Sequence, residues 1–180
     1  MKFIFITLIS FSIILTGTQG FSVNLSLETV ESVNLNRYTG VWFEISKIPN
    51  RFQSFCVSDT TAEYKVIKSG AIEVLNKCQT EEGEFKSAKG LAEVVDQKSK
   101  SKLRVSFVRI LGIQLFWGDY WIIGLSNNYE YAVIGDPERK YGWILARQNS
   151  LPKSLLIEAY KILENKGYNI KDFIMTKHTK

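Results

Sequence analysis

Between residues 41 and 147 the chain is made of short segments in which apolar and polar side chains alternate, with turn-forming residues between the segments. Alternation with a period of two is typical of β-strands that have one buried face. Eight strands are predicted, at residues 41–48, 60–67, 71–77, 85–95, 102–108, 118–125, 129–134 and 142–147. About eight antiparallel strands can close into a barrel that encloses side chains or one small ligand. The pattern therefore predicts an all-β, up-and-down barrel.

One helix is predicted after the strands, beginning near Pro152 and ending at Gly167. Its apolar residues recur at helical spacing, at Leu155, Ala159, Ile162 and Leu163. Such a stripe predicts that the helix packs against the outer wall of the barrel. Residues 169–175 are predicted to form a last short strand, and the residues after them a loose polar tail.

The first 20 residues contain one lysine, a short apolar run and small residues at their end, which is the plan of a secretory signal peptide. An uncleaved membrane anchor is the alternative, although the run is short for a membrane span. The full 180-residue chain is 45% hydrophobic. The part after residue 20 has room for one domain with a sizeable core. The predicted organisation is a signal peptide at 1–20, a lead segment at 21–33, one domain at 34–176 and a tail at 177–180.

Export to an oxidising compartment would allow the two cysteines, Cys56 and Cys78, to form a disulfide. Both lie near the open end of the hairpin predicted from strands 60–67 and 71–77, which favours the bridge. A pair of buried, unreactive thiols is the alternative.

The net charge of +5 is a mild basic excess. Its densest stretch lies between Lys86 and Arg104, where basic residues are interleaved with strand residues and lack a series of stacking aromatic side chains. This arrangement is typical of a solvated strand face, so no nucleic-acid partner is expected. Weak attraction to an anionic membrane surface remains open.

Three motifs that occur in order along the chain point to a family. The first one contains Gly40 and Trp42 at the start of the first strand, and the last one ends in Arg147. Together with two shorter matches they comprise RYTGVWFEI at 37–45, TAEY at 61–64, VLNKC at 74–78, WGDYW at 117–121 and YGWILAR at 141–147. Over roughly residues 34–174 the chain resembles the lipocalin family, in particular the bacterial outer-membrane lipocalins, and more distantly apolipoprotein D and the temperature-induced lipocalins of plants.

The resemblance implies a barrel with a closed base, in which Trp42 lies across the base and the guanidinium of Arg147 stacks on it. Gly40, Trp42 and Arg147 are therefore interpreted as a fold signature and not as ligand contacts. Bacterial relatives become lipoproteins through a cysteine at the signal end, but here Thr18 follows Leu15, Thr16 and Gly17. A periplasmic or secreted product without that lipid anchor is expected.

Strand alternation also predicts which side chains face the interior. The phase of residues 131–134 cannot be assigned, because all four are apolar or aromatic. A mostly apolar lining with a few polar groups suits a fatty chain with one polar end. The predicted ligand-binding residues are Glu44, Ser46, Ala62, Tyr64, Val66, Val74, Asn76, Ala92, Val94, Val105, Phe107, Tyr120, Ile122, Trp143 and Leu145.

Two of these residues, Glu44 and Asn76, carry polar groups that need partners when buried. They could bind the polar end of a ligand. Alternatively, they satisfy each other, or bond to Tyr64 and Tyr120, without any ligand.

The connection at residues 109–117 is unusually apolar for a loop. Strand order places it at the barrel mouth, opposite Trp42. Exposed apolar segments mark contact sites, so one hypothesis is contact with a bilayer or a partner protein, with Arg109 near phosphate groups. The alternative is a lid folded inward over the interior. The residues concerned are Ile110, Leu111, Ile113, Leu115 and Phe116.

Catalytic patterns are sparse. The single histidine, His178, is in the tail, so Ser-His and Cys-His schemes lack their base, and no imidazole from the barrel could hold haem. No enzyme activity, cofactor or metal site is expected. We predict a protein that binds and transports or stores small hydrophobic ligands, most concretely fatty acids or lysophospholipids, in the cell envelope.

Two other functions stay open. The first is an envelope interaction module that uses the 109–117 loop, with a barrel filled by side chains. The second is an isomerase or synthase of the same fold, which would need a reactive thiol at Cys56 or Cys78. The sequence leaves the oligomeric state undecided.

Overall fold

The computed structural model describes residues 26–179, so the predicted signal peptide lies outside the described residues. The strands within that range are β1 (Gly40–Lys47), β2 (Ser58–Val66), β3 (Ile72–Gln79), β4 (Phe85–Val94), β5 (Lys102–Ser106), β6 (Val108–Ile110), β7 (Ile113–Leu115), β8 (Gly118–Leu125), β9 (Tyr131–Gly135), β10 (Gly142–Ala146) and β11 (Ile174–Met175). The helices are α1 (Leu35–Tyr38) and α2 (Lys153–Asn165), with short 3₁₀ turns at Arg51–Gln53 and Ile170–Asp172.

Eight of these strands form a closed antiparallel barrel in the order β1, β2, β3, β4, β5, β8, β9, β10, and β10 pairs with β1 to close it. The predicted up-and-down barrel with a C-terminal helix outside is confirmed. The connections from β1 to β2, β3 to β4, β5 to β8 and β9 to β10 lie at one end, called the mouth here. The other end, where α1 precedes β1, is called the base.

Side chains of the barrel strands divide into two apolar clusters. The interior cluster contains Trp42, Tyr64, Ile122, Ala132 and Ile134, among others. An outer cluster lies between the wall and α2. On β9, Ala132 and Ile134 belong to the interior cluster, whereas Tyr131 and Val133 belong to the outer one. Because α2 covers this part of the wall, both faces of β9 are buried, which explains why its phase could not be read from alternation.

The C-terminal helix α2 packs on the barrel as its apolar stripe predicts. Ala159 and Leu163 are fully buried, and Leu155 and Ile162 pack against the same outer cluster. Each fully buried leucine contributes about 1.5–3 kcal/mol. The helix ends where Gly167 adopts a φ of 82°, a left-handed conformation that suits glycine.

The C-terminal tail is not loose, contrary to prediction. Strands β1 and β2 pair over residues 40–43 of β1 and then separate, and the tail fills the gap. Thr176 N–H donates to the Ile45 carbonyl, and Asp59 N–H donates to the Lys177 carbonyl. The tail therefore completes the wall near the mouth.

Asp59 holds the end of this tail, because its carboxylate accepts from the N–H and hydroxyl of Thr179. Burial acts to raise the pKa of Asp59, but hydrogen bonds from Ser58 and Thr179 outweigh it, so the pKa lies below its usual value. A lowered folded-state pKa means that this attachment is fully present above the ordinary pKa and is lost as the pH falls through the lowered one. The ring of His178 packs beside it, with Nε2 2.7 Å from the Glu44 carbonyl oxygen.

Candidate functional site

The base of the barrel is closed by Trp42, which is fully buried. Its Nε1 donates to the Tyr38 carbonyl of α1 at 2.8 Å, and the Arg147 guanidinium lies 3.8 Å from the centre of its ring. Gly40 has a φ of 93°, and a Cβ there would lie 3.5 Å from Arg147 Nη1. The structure thus places the three signature residues together at the base. Access to the interior must come from the mouth.

Ten of the predicted ligand-binding residues belong to the interior cluster or pack against it. Half of them are buried, namely Tyr64, Val74, Ala92, Ile122 and Leu145. The other half are only partly buried, namely Ala62, Val94, Val105, Tyr120 and Trp143. Side chains that face inward yet remain accessible indicate an interior that protein atoms do not fill, because a close-packed core would bury them.

Phe107 also lies against the inner wall. Gly90 shares the inward phase of Ala92 on β4, and a Cβ at Gly90 would come within 2.7 Å of the Phe107 ring. Glycine is therefore needed at this position for the ring to lie flat on the wall. Phe107 is 38% exposed, which places it towards the mouth end of the interior.

Two predicted interior residues lie elsewhere. The register between β1 and β10 shifts between Glu44 and Ser46, which is a β-bulge. As a result the Ser46 hydroxyl bonds to the Tyr160 hydroxyl of α2, outside the barrel. Val66 is 38% exposed at the end of β2 and borders a pocket outside the base together with Gly40. The predictions that Ser46 and Val66 face the ligand space are wrong, because alternation does not reveal a bulge or the level at which a barrel is closed.

Glu44 is buried, and protein groups satisfy its carboxylate. Lys47 Nζ lies 3.1 Å from Oε1, the Thr176 hydroxyl donates to Oε1, and Gln53 Nε2 donates to Oε2. Trp143 Nε1 donates to the Gln53 side-chain oxygen and extends this network across the mouth end. Glu44 therefore bonds to neither Asn76 nor a tyrosine, and its role is to hold β1, the mouth loop and the tail together.

Asn76 differs from Glu44. Its Oδ1 is buried and has no hydrogen-bond partner among residues 26–179. Its neighbours across the sheet are Ala62 and Ala88, which are too small to cover it. A buried carbonyl oxygen without a partner costs stability, so this atom is a candidate contact for a ligand's polar group.

Three tyrosine hydroxyls meet inside the barrel, on α1, β2 and β8. The hydroxyls of Tyr38 and Tyr120 are 2.7 Å apart, and those of Tyr64 and Tyr120 are 2.9 Å apart. Burial raises the pKa of Tyr64 to about 12 and the pKa values of Tyr38 and Tyr120 well above their usual range. All three phenols are therefore neutral near pH 7. This group is called the tyrosine cluster below.

The apolar connection near the mouth forms a hairpin of β6 and β7, called the mouth hairpin below. Its turn is Leu111 and Gly112, with φ values of 50° and 84°, as a two-residue type I′ turn requires. The exposed fractions are 53% for Ile110, 98% for Leu111, 64% for Ile113 and 78% for Phe116, whereas Leu115 is half-buried. These four exposed side chains do not cover the interior, as a lid would.

Other exposed aromatic residues border the mouth. Phe52 and Phe55 lie in the connection from β1 to β2, and Phe85 begins β4. Cations lie beside them, since the Arg51 guanidinium is 5.1 Å from the Phe52 ring centre and Lys86 Nζ is 5.4 Å from that of Phe55. Together with the mouth hairpin these residues form an apolar and basic edge, called the rim below.

Cys56 and Cys78 form a disulfide with their Cα atoms 5.5 Å apart, which confirms the predicted bridge. The bridge ties the mouth loop after β1 to β3. Since these are the two cysteines of the chain, the reactive thiol that an isomerase or synthase would need is absent from the bridged form. No group of three or more His, Cys, Asp or Glu side chains among residues 26–179 is placed to hold a metal ion.

Comparisons with known proteins agree with this geometry. The family model of the lipocalin-like domain matches residues 33–178. The chain is 38% identical over 151 residues to temperature-induced lipocalin-1 of Arabidopsis thaliana, covering 80% of this chain and 78% of that protein. It is 33% identical over 171 residues to the outer membrane lipoprotein Blc of Vibrio cholerae, covering 94% and 95%. The chain belongs to the lipocalin family.

Solved lipocalins show the same fold. Insecticyanin of the tobacco hornworm Manduca sexta matches with a TM-score of 0.68 at 20% identity, covering 86% of this chain and 85% of that one. Lipocalins bind small hydrophobic ligands and are typically binding proteins, not enzymes, which agrees with the accessible apolar interior of this lipocalin.

Sequence reasoning missed two features of this lipocalin's site. The first feature is Tyr38, the third member of the tyrosine cluster. It lies on α1, a four-residue helix that is too short for periodicity to reveal. The available signal was Asn34, whose side chain accepts from the N–H groups of Asn36 and Arg37 as a helix N-cap does. The second feature is the tail in the wall, for which the sequence carries no comparable signal.

Proposed function

We propose that this lipocalin binds one acyl-chain lipid, a fatty acid or a lysophospholipid, inside its barrel and carries or stores it in the cell envelope. The observation that supports the proposal most strongly is the set of inward-facing apolar residues that remain accessible, such as Val94, Val105 and Trp143. Burying an acyl chain there is favourable by about 0.8 kcal/mol per methylene. A chain of a dozen or more methylenes therefore suffices for tight binding, even after the cost of ordering the ligand.

The polar end of the ligand is placed near Asn76. The amide offers an unpartnered Oδ1 to a glycerol hydroxyl and an NH₂ group to a carboxylate. Glu44 is excluded from this role in the proposal, because its oxygens already have three protein partners. The two polar residues of the interior thus have separate roles, one for the ligand and one for the fold.

Replacing Asn76 by alanine is expected to weaken oleate and lysophosphatidylcholine binding about fivefold, the value of a typical hydrogen bond, with little loss of stability. Displacement of a fluorescent fatty acid measures the affinity, and urea denaturation measures the stability. Glu44→Gln is the matched control, and it is expected to lower stability while leaving both affinities unchanged. Unchanged affinity of Asn76→Ala for both ligands would show that the polar end of the ligand does not lie at Asn76.

The rim is proposed to meet an anionic lipid bilayer during loading. Four strongly exposed apolar side chains of the mouth hairpin lie beside the entrance, and Arg51, Lys86 and Arg109 supply positive charge near them. Apolar side chains gain free energy by entering the interface, and basic ones by approaching anionic headgroups. A lipid could then pass from the bilayer into the mouth without crossing water.

Vesicle flotation tests the rim. The wild-type protein is expected to float with vesicles of phosphatidylcholine and phosphatidylglycerol, and Leu111→Glu with Ile113→Glu is expected to reduce the bound fraction on the order of tenfold. Ile157→Glu is the matched control, because Ile157 is 58% exposed on α2, away from the mouth. Thermal melts verify that the variants fold. Equal flotation of all three proteins contradicts bilayer contact, and loss of self-association instead would favour an interaction module.

We also propose that the protein is exported. The Cys56–Cys78 bridge forms in oxidising compartments, and the relative from Vibrio cholerae is named an outer membrane lipoprotein. Attachment through a lipidated cysteine at the signal end is not part of the proposal, because Thr18 occupies that position here. Contact through the rim would keep such a protein near a membrane reversibly.

A further inference from the structure

The tyrosine cluster has one more donor than it has hydrogen bonds. Each phenol carries one O–H proton, so Tyr38, Tyr64 and Tyr120 supply three donors. Two hydrogen bonds link the three oxygens, and the residues at 26–179 provide no further partner for any of these hydroxyls. Whatever direction the two bonds take, one phenolic proton remains without an acceptor.

One arrangement of the two hydrogen bonds leaves the unpaired proton on Tyr120. Tyr38 is 2% exposed and Tyr64 is 6% exposed, whereas Tyr120, whose hydroxyl lies between theirs, is only half-buried. When Tyr38 and Tyr64 both donate to the Tyr120 oxygen, the proton of Tyr120 points away from them. Tyr120 packs against the interior cluster, so in this arrangement its free proton points into the barrel.

We propose that the tyrosine cluster donates its unpaired proton to an oxygen atom on the chain of the ligand, and so selects acyl chains that carry a hydroxyl or carbonyl group in addition to their polar end. The inference rests on the proposed lipid-binding function and narrows its substrate class. The surrounding wall is apolar, with Val74, Ile122 and Leu103 in the same cluster. A ligand oxygen placed there would lack a partner if the cluster did not supply one.

A neutral oxygen fits this position better than a carboxylate. Two arginines lie at the base, and both have protein partners. The Arg147 guanidinium is occupied by the Trp42 ring and the Val41 carbonyl, and that of Arg37 by the Tyr129 ring and the Asn127 carbonyl. The phenols are themselves neutral at physiological pH, because burial raises their pKa values. An anion at this depth would be buried without a counter-charge, which is costly.

Affinities for palmitate and for 6-, 8- and 10-hydroxypalmitate test the proposal, because Asn76 and Tyr64 are diagonal neighbours on β3 and β2. The wild-type protein is expected to bind at least one hydroxypalmitate as tightly as palmitate. In the triple variant Tyr38→Phe, Tyr64→Phe, Tyr120→Phe, the affinity for that hydroxypalmitate relative to palmitate is expected to fall on the order of tenfold, because the buried hydroxyl loses its donor. Palmitate itself should bind both proteins equally. Removing all three hydroxyls together leaves no buried donor unpaired, so the variant is expected to fold.

Tyr64→Phe is the matched control. It removes one hydroxyl and one hydrogen bond, so the remaining pair still has one unpaired proton, and the preference is expected to persist. If the wild-type protein binds all three hydroxypalmitates about tenfold more weakly than palmitate, the proposal is overturned without recourse to a variant. The proposal is also overturned if the triple variant binds the hydroxypalmitate as tightly, relative to palmitate, as the wild-type protein does. Failure of every protein to bind palmitate would instead contradict the proposed lipid-binding function.

Discussion

Replacing Trp42 by alanine is expected to lower the free energy of unfolding by about 3–5 kcal/mol, the cost of removing a large aromatic side chain from a core. Trp42 is fully buried, packs against the tilted ring of Tyr38 with 5.0 Å between ring centres, and lies under Arg147. Its loss therefore removes packing at the base, the hydrogen bond to α1 and the stacking partner of Arg147. Urea denaturation followed by circular dichroism measures the change.

Trp117→Ala is the matched control for this prediction. Trp117 also lies under an arginine, with the Arg104 guanidinium 4.6 Å from its ring centre. Unlike Trp42, it lies away from the base and is only partly buried. The expected loss is about 1 kcal/mol or less, the size of an exposed cation–π contact with modest packing. Similar losses in the two variants would show that Trp42 does not hold the base together.

Replacing Glu44 by leucine is expected to cost about 3–5 kcal/mol, because it leaves the Lys47 ammonium buried without its partner. The side chains of Glu44 and Lys47 are 3% and 9% exposed, and their charged atoms are 3.1 Å apart. Replacing both residues, as Glu44→Leu with Lys47→Met, is expected to recover at least half of the loss, since no charge is then stranded. Urea denaturation of the two single variants and the double variant measures the coupling.

An additive outcome would contradict this account. If the double variant loses as much stability as the two single variants together, Glu44 and Lys47 do not stabilise each other. The stability of Glu44 would then come from its bonds to Gln53 and Thr176 alone.

The barrel could be predicted from sequence because its signals are local. Alternation on β3 to β5 placed Val74, Ala92, Val94 and Val105 in the interior, and the turn residues placed the strand ends within about two residues. Helix α2 could be predicted equally well, since its apolar stripe and the glycine that ends it, Gly167, are local features of the sequence. The contact of Arg147 with Trp42 came from the family resemblance and is confirmed at 3.8 Å.

The remaining features depend on contacts between distant residues. The bulge beside Glu44 turns Ser46 towards Tyr160, 114 positions away, and nothing in the alternation marks it. The tail enters the wall through bonds to Glu44 and Asp59, which neither periodicity nor polarity indicates. Leu111 adopts a left-handed φ that glycine or asparagine usually supplies, so the turn of the mouth hairpin was read as a loop.

The central claim is that the barrel holds an acyl-chain lipid. Native mass spectrometry of protein purified without detergent, followed by analysis of extracted lipid, tests it most directly. The account predicts one acyl-chain molecule bound per protein chain, or uptake of one equivalent of added oleate by protein that has been stripped of lipid. A protein that carries no lipid and takes up no oleate at micromolar concentration would contradict it.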